Sequence, residues 1–159
     1  MNQSIEKIVC NLVYLIKGKQ VCLPLKLRGF GQGWHNGYGG KVLPGEPLPE
    51  SAKRELLEES GVRAESLEKR AVLTFNFVQT DKIIESHVFW CDRFKSEPAA
   101  SEEMEPFWFY FEDIPYARMW PDDRIWLPRF LAGEKFSATF DFLDELPTIG
   151  GYKIQEGLE

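Results

Sequence analysis

The sequence predicts an α+β fold built in layers. Helical periodicity is confined to two segments, residues 50–60 and 122–132, and they are outnumbered by runs rich in β-branched and aromatic residues. With 159 residues the chain has the length of one ordinary domain, so we expect a single domain over residues 1–159.

The first part of the chain is predicted to form a hairpin followed by a glycine-rich loop. Residues 7–16 and 19–25 have strand composition and flank a turn at Gly18. Residues 28–41, RGFGQGWHNGYGGK, are rich in glycine, which predicts a loop that approaches another group closely. A further turn is expected at residues 44–47, PGEP.

The first helix is predicted over residues 50–60 and ends at Gly61, a plausible left-handed C′ residue. On a 3.6-residue period, Glu55, Glu58 and Glu59 fall within an arc of roughly 100°. Away from the centre of that arc lie apolar residues that can pack inward, namely Ala52, Leu56 and Leu57.

Strands dominate the second half of the chain. A polar turn at residues 79–82 separates the first two of them. The second helix, over residues 122–132, begins near Asp122 or Asp123, contains Pro128 and is closed by Gly133. The predicted strands cover residues 67–78, 85–94, 106–111, 136–143 and 149–155.

Charge and cysteine content exclude several classes of protein. The formal net charge of −6 argues against a general binder of nucleic-acid polymers, whereas a carboxylate-held divalent cation suits an acidic chain that binds phosphate. Three cysteines without a Cys-x-x-Cys pair do not favour a disulfide framework or a structural zinc site. The chain shows neither a signal peptide nor an apolar run that could cross a membrane, so we expect a cytoplasmic monomer.

The carboxylate stripe on the first helix has two interpretations. Like charges at i,i+3 and i,i+4 destabilise an isolated helix, and a Glu-x-x-Glu-Glu pattern alone is most often a solvated acidic face. A hard cation reverses the sign of the interaction, because Mg²⁺ takes oxygen ligands and is shared between carboxylates and phosphates. Arg54 can pair with Glu58 one turn later and help to fix it.

The sequence around this helix favours the metal interpretation. Residues 40–62 follow the pattern G-x5-E-x7-R-E-U-x-E-E-x-G-U, where U is a bulky aliphatic residue. This pattern resembles the Nudix box at every defining position. The resemblance implies a Nudix fold, a mixed β-sheet sandwiched between helices (an α/β/α sandwich), and a loop–helix–loop that holds Mg²⁺, or Mn²⁺ in its place, against a diphosphate.

Carried over position by position, the resemblance implies a role for each box residue. The metal ligands would be Glu55, Glu58 and Glu59 with the backbone carbonyl of Gly39, and Glu103 aligns with a further metal-site glutamate. The implied reaction is attack of water on a phosphorus, with Glu59 or Glu103 as the general base. Positions that brace the box are Gly40, Glu46, Arg54 and Gly61.

Segments outside the box resemble the animal-type MutT homologues that hydrolyse 8-oxo-dGTP and 2-hydroxy-dATP. The similar segments are RGFGQGWHNGYGGKV at residues 28–42, ESHVFW at 85–90, SEEM at 101–104 and MWPDDRIWLP at 119–128. Trp34-His35 departs from the Arg-Trp that this family has before Asn-Gly. The resemblance implies pocket walls at Phe75, Ile84, Met104 and Trp126, and it places substrate contacts at Asn11, Lys26, Phe30, Asn36, Gly39, Gly40, Lys41, Trp120, Asp122 and Asp123.

The chemistry of these residues suits a purine. Asp122 and Asp123 can cap a helix, but if they converge in an apolar pocket, one can stay protonated. The pair would then offer both a donor and acceptors to the Watson–Crick edge of the base. Trp120 and Phe30 can stack on the base, and Lys26 can reach either the base or a phosphate.

We therefore expect an enzyme that releases a monophosphate and pyrophosphate from oxidised purine nucleoside triphosphates. A Nudix hydrolase of ADP-ribose, a dinucleotide or ordinary nucleotides is the first alternative. A non-catalytic nucleotide-binding module is the second, although such a module usually loses box glutamates that this chain has kept.

Overall fold

The computed structural model describes residues 4–143 and 148–158, so both ends of the predicted domain and residues 144–147 lie outside the described residues. Within the described part, the chain forms twelve strands and two α-helices. No helix there is long and apolar enough to cross a membrane.

The elements follow one another in a mixed order. The strands are β1 (Glu6–Lys17), β2 (Gln20–Cys22), β3 (Leu25–Lys26), β4 (Tyr38–Lys41), β5 (Arg63–Ala64), β6 (Glu68–Phe77), β7 (Lys82–Cys91), β8 (Phe94–Lys95), β9 (Met104–Glu105), β10 (Trp108–Tyr110), β11 (Phe136–Phe142) and β12 (Ile149–Glu156). The helices are α1 (Leu48–Ser60) and α2 (Asp123–Leu131), with 3₁₀ turns at Phe111–Asp113 and Tyr116–Arg118.

Strand β1 organises the main sheet, whose order is β10-β2-β1-β7-β6-β11-β12. It pairs with β7 in parallel along ten residues and with β2 in the predicted hairpin. Antiparallel β4 joins β1 on the edge that β2 also uses. The sheet is therefore mixed, as the sequence predicted.

Side chains on the two faces of β1 enter different cores, because successive residues of a strand point to opposite sides. Val13 and Leu15 pack in the cluster that includes Ala52 and Leu56 of α1. Tyr14 and Ile16 belong to the other cluster, which is completed by Trp126, Leu127 and Phe130 of α2. The helices thus cover opposite faces, which confirms the predicted sandwich.

Most predicted elements are confirmed, but three details were wrong. The strand over residues 19–25 is broken at Pro24, which has no N–H to donate, and only Gln20–Cys22 and Leu25–Lys26 are strands. The predicted loop over residues 28–41 ends earlier, because Tyr38–Lys41 pairs with β1. Leu57 is 38% exposed rather than packed inward.

Gly39 allows β4 to approach β1. A Cβ atom at this position would lie 2.0 Å from the backbone oxygen of Asn11. No side chain fits at that distance, so any larger residue must displace one of the two strands. The close approach predicted from the glycine-rich segment is therefore made to the chain's own backbone.

We expect Gly39→Ala to lower the free energy of unfolding by about 1–3 kcal/mol, the usual cost of overpacking. Gly151→Ala is the matched control, since a Cβ there meets nothing within 4 Å. Urea denaturation of both variants measures the difference. Equal stability of the two variants would contradict the close approach.

Candidate active site

Helix α1 presents its carboxylates in three different environments. Glu58 has a side chain that is 57% exposed, whereas Glu59 is only 8% exposed. Glu55 lies directly over Gly40, where a Cβ atom would sit 2.6 Å from its carboxyl carbon. Glycine at position 40 therefore makes room for a carboxylate.

Arg54 ties this stripe to the loop before the helix. Its guanidinium donates from Nε and Nη2 to the two carboxylate oxygens of Glu46, at 2.8 and 3.1 Å. Its Nη1 donates to Glu55 at 3.0 Å and to Glu58 at 3.3 Å. The hydrogen bond from Arg54 lowers the pKa of Glu46, which also accepts from the N–H of Leu43. Two of the predicted bracing residues, Glu46 and Arg54, thus form one network with Glu55 and Glu58.

Glu59 is the buried member of the stripe. Burial, with a smaller contribution from Glu55 and Glu103, raises the pKa of its carboxyl to about 7 against the opposing effects of the Gly39 N–H and Lys26. The Gly39 N–H donates to Glu59 Oε1 at 2.8 Å. A cation beside Glu59 would favour the ionised form and lower this pKa.

Glu103 lies just before β9. Lys26 Nζ is 3.8 Å and Arg28 Nη2 3.5 Å from its carboxylate oxygens. Its electrostatic effect on Glu59 places it near the same site. Within residues 4–143 and 148–158, however, no three carboxylate, imidazole or thiolate groups are gathered at metal-binding distance. Arg54 and the Gly39 N–H engage the carboxylates instead.

A cavity of about 270 Å³ opens beside the stripe, and Glu59 forms part of its wall. Lys41 lies outside this wall. The predicted pocket residues Ile84, Met104 and Trp126 also line the cavity. The predicted substrate contacts in the wall are Asn11, Lys26, Phe30, Asn36, Gly39, Gly40, Phe75, Trp120, Asp122 and Asp123.

The two aspartates converge in the cavity wall, both at most 3% exposed. Burial is the main cause that raises the pKa of both carboxyls, and the charge of Asp122 raises the pKa of Asp123 further. Trp126 Nε1 donates to Asp122 Oδ2 at 2.7 Å, and neither side chain caps α2. Of the two carboxyls, Asp123 therefore has the higher proton affinity, and Asp122 is the better acceptor.

Two asparagines differ in what they offer a ligand. Asn36 Oδ1 accepts from the Gly37 N–H at 2.8 Å and from the Tyr14 hydroxyl at 3.3 Å, so Nδ2 is the group left to donate into the cavity. Asn11 Nδ2 donates instead to Ser51 Oγ of α1 at 2.9 Å. The Asn11 amide is thus turned toward the helix, although the residue borders the cavity.

Three aromatic rings form the outer wall. Phe30 is 73% exposed and its ring centroid lies 4.9 Å from that of Trp120. Trp34 meets Trp120 edge-on at 4.8 Å. The side chain of His35 does not line the cavity. Its Nδ1 lies 2.8 Å from the Leu23 carbonyl oxygen instead. The Trp34-His35 departure therefore places a tryptophan in the wall and a histidine in the core.

Several wall residues were not predicted from the sequence. Phe142 lies beyond the part of the chain that resembles the family, but the alternation of residues 136–142 already assigns it to the same face as Phe140. Leu12 and Leu73 share a sheet face with the predicted Phe75. The unpredicted members are Cys10, Leu12, Gly31, Trp34, Gly37, Leu73, Phe77, Ser86 and Phe142.

Comparisons with known proteins agree on one family. The NUDIX domain model matches residues 8–130. The Mus musculus protein named oxidized purine nucleoside triphosphate hydrolase is 43% identical over 91% of this chain and 92% of its own. The Danio rerio protein of the same name is 42% identical over 82% of this chain and 84% of its own.

Solved structures show the same fold. A MutT protein from Bacillus halodurans superposes with a TM-score of 0.82 and covers 92% of this chain and 97% of its own. Its sequence identity is 21%, so it supports the architecture alone.

We expect Asp123→Asn to change how stability depends on pH. A buried carboxyl whose pKa is raised above 3.8 stabilises the fold at low pH, and this contribution is lost as pH rises. The asparagine keeps the shape without the charge, so the variant should lose less stability than the wild type between about pH 4 and pH 8. Denaturant unfolding at several pH values measures this. Curves parallel to those of the wild type and of the exposed control Asp113→Asn would contradict it.

Proposed function

Since the chain belongs to the Nudix family, we propose that it hydrolyses oxidised purine nucleoside triphosphates to the monophosphate and pyrophosphate. The observation that carries the proposal is the buried pair Asp122–Asp123 at a cavity whose wall also contains Glu59 of the acidic stripe. One ligand can therefore reach both groups. The names of the mouse and zebrafish relatives support the same substrate class.

The cavity supplies hydrogen bonds that suit a purine edge. Protonated Asp123 donates, Asp122 accepts, and Asn36 Nδ2 adds a second donor. A buried set of this kind discriminates strongly, because a base that mismatches it leaves polar groups without partners. Trp120 and Phe30 provide aromatic faces for stacking.

The residues of the stripe fit Mg²⁺ in their chemistry. Their donors are carboxylate oxygens, the ligands that Mg²⁺ prefers, and the space over Gly40 already accommodates the Glu55 carboxylate. Glu55, Glu58, Glu59 and the Gly39 carbonyl would hold the cation, with Glu103 beside them. When bound, Mg²⁺ or Mn²⁺ neutralises charge that develops on the phosphates.

Side chains of the protein account for the other steps of the hydrolysis. Water attacks a phosphorus, the bridging P–O bond breaks and pyrophosphate leaves, while a carboxylate accepts the proton of the water. Glu59 and Glu103 are the candidates for this base, and burial raises the pKa of Glu59 to about 7. Lys26 lines the cavity beside Glu103 and can contact a phosphate. Arg54 keeps Glu55 and Glu58 in place.

We expect Mg²⁺-dependent pyrophosphate release from 8-oxo-dGTP or 2-hydroxy-dATP in preference to dGTP, dATP and ADP-ribose. Glu58→Gln should lower kcat by roughly 10² or more, since it removes a negative charge from the carboxylate stripe that would hold the metal. Glu50→Gln is the matched control, because Glu50 lies in the first turn of α1 and its ion pair within residues 4–143 and 148–158 is with Lys53. Equal turnover of oxidised and ordinary nucleotides would contradict the proposed substrate class. A fully active Glu58→Gln variant would contradict the proposed metal-binding role of the carboxylate stripe.

We expect Asp122→Asn to reduce kcat/KM for the preferred oxidised nucleotide by at least about tenfold, because the purine loses an acceptor. The preference over the unoxidised nucleotide should shrink at the same time. Steady-state kinetics beside Asp113→Asn tests this. An unchanged preference would mean that the aspartate pair does not read the base, and would favour another Nudix substrate.

A further inference from the structure

Two buried polar atoms lie on neighbouring central strands of the sheet. They are Oδ1 of Asn11 and Nδ1 of His87, and neither atom has a hydrogen-bond partner among the described residues. An unpaired polar atom in the interior lowers stability, and most buried polar atoms in proteins bond to protein or to ordered water. Both atoms therefore require a partner.

Asn11 and His87 are direct neighbours in the sheet. They are paired in the parallel register of β1 and β7, so their side chains point to the same face. Two residues further along these strands, Val13 and Phe89 pack in the core cluster that includes Leu56 of α1, so this is the face that α1 covers. Adjacent strands lie about 4.8 Å apart, which brings the two side chains close enough to share one small molecule.

The amide of Asn11 is bonded to α1. Its Nδ2 donates to Ser51 Oγ at 2.9 Å, and Ser51 Oγ donates in turn to the Leu48 carbonyl oxygen at 2.9 Å. Ser51 lies one helical turn before Glu55. Asn11 is also paired with Gly40, over which the Glu55 carboxylate lies. The Asn11 amide therefore helps to hold the turn of α1 that leads to Glu55.

The other ring nitrogen of His87 faces a carboxylate. Nε2 lies 3.1 Å from Glu85 Oε2, and Oε1 of the same carboxylate lies 3.3 Å from Lys7 Nζ. An ionised carboxylate only accepts hydrogen bonds, so Nε2 donates, and in a neutral ring Nδ1 is then an acceptor. Asn11 Oδ1 is an acceptor as well. Two acceptors cannot bond to each other, but a water molecule can donate one hydrogen to each.

We propose that one buried water molecule bridges His87 Nδ1 and Asn11 Oδ1, and that His87 is thereby a positioning residue for α1. The bridge fixes the orientation of the Asn11 amide, and the amide fixes Ser51 and the turn before Glu55. His87 itself lies outside the cavity wall, so it acts through Asn11 and not on the nucleotide. The positioning role rests on the proposed function, because it requires Glu55 to belong to a metal site.

A crystal structure of the wild-type protein, at a resolution that shows ordered solvent, tests the bridge directly. We expect a water oxygen within about 2.7–3.2 Å of both His87 Nδ1 and Asn11 Oδ1. A structure without this water, or with a direct hydrogen bond between the two side chains, would overturn the inference.

Nitrogen-15 NMR of the two histidine rings tests the role of Nδ1 in solution. In mildly alkaline buffer, His87 should carry its proton on Nε2, with Nδ1 as the accepting nitrogen. His35 is the internal reference with the opposite tautomer, because its Nδ1 lies 2.8 Å from the Leu23 carbonyl oxygen and must donate. A proton on Nδ1 of His87 would overturn the inference.

Two substitutions separate the roles of the ring nitrogens. His87→Asn keeps an acceptor near the position of Nδ1, whereas His87→Gln keeps a donor near the position of Nε2. We expect His87→Gln to raise the Kd of Mn²⁺ by about tenfold, as the loss of a group that orients a metal ligand does. His87→Asn should bind Mn²⁺ as tightly as the wild type. Electron paramagnetic resonance without nucleotide measures both, and equal Mn²⁺ affinity of the two variants would overturn the positioning role.

These measurements separate the inference from the proposed function. The crystal structure and the NMR spectra use the wild-type protein without metal or nucleotide, so they test the water bridge alone. Absence of Mn²⁺ binding by the wild type would reject the metal site of the proposed function, and the positioning role with it. The water bridge would still be accepted or rejected on the first two measurements.

Discussion

The antiparallel pairing of β4 with β1 is the constraint on which the site depends. It presses Gly39 against the backbone of Asn11 and leaves space over Gly40 for the carboxylate of Glu55. The N–H of Gly39 also donates a hydrogen bond to the carboxylate of Glu59. Because β1 contributes to the cavity wall on its other face, the same pairing sets the distance between the acidic stripe and the pocket.

The site concentrates groups that oppose folding. Three glutamates share one helix stripe, and two aspartates share a buried corner in a protein of net charge −6. Arg54 offsets part of the repulsion at the stripe, and the raised pKa of Asp123 favours a protonated carboxyl that relieves it at the aspartate pair. Burial, together with this repulsion, raises the pKa values of Glu59 and Asp123, and groups with perturbed pKa values are concentrated at functional sites.

Local patterns predicted those parts of the structure that local physics determines. The period of the carboxylates and the glycine after α1 specify the helix and its end at Gly61. Gly61 has a φ of 76°, as a left-handed C′ residue requires.

Features that depend on contacts distant in sequence could not be derived in this way. The strand at Tyr38–Lys41 looks like loop sequence and forms only because β1 supplies partners. The orientation of Asn11 toward Ser51 and the burial of His35 likewise follow from packing against other elements. The resemblance to a family identified the aspartate pair. The presence of Cys10 and Ser86 in the cavity wall was not predicted, because it depends on the pairing of β1 with β7.

We propose that the cavity with Asp122 and Asp123 in its wall recognises an oxidised purine, while the carboxylate stripe of α1 acts on the phosphates. Equilibrium binding of 8-oxo-dGMP and dGMP to the wild-type protein in EDTA tests it most directly, with tryptophan fluorescence as the signal from Trp120 and Trp34 at the cavity. We expect 8-oxo-dGMP to bind more tightly than dGMP without any metal. Equal affinity for the two monophosphates would contradict it.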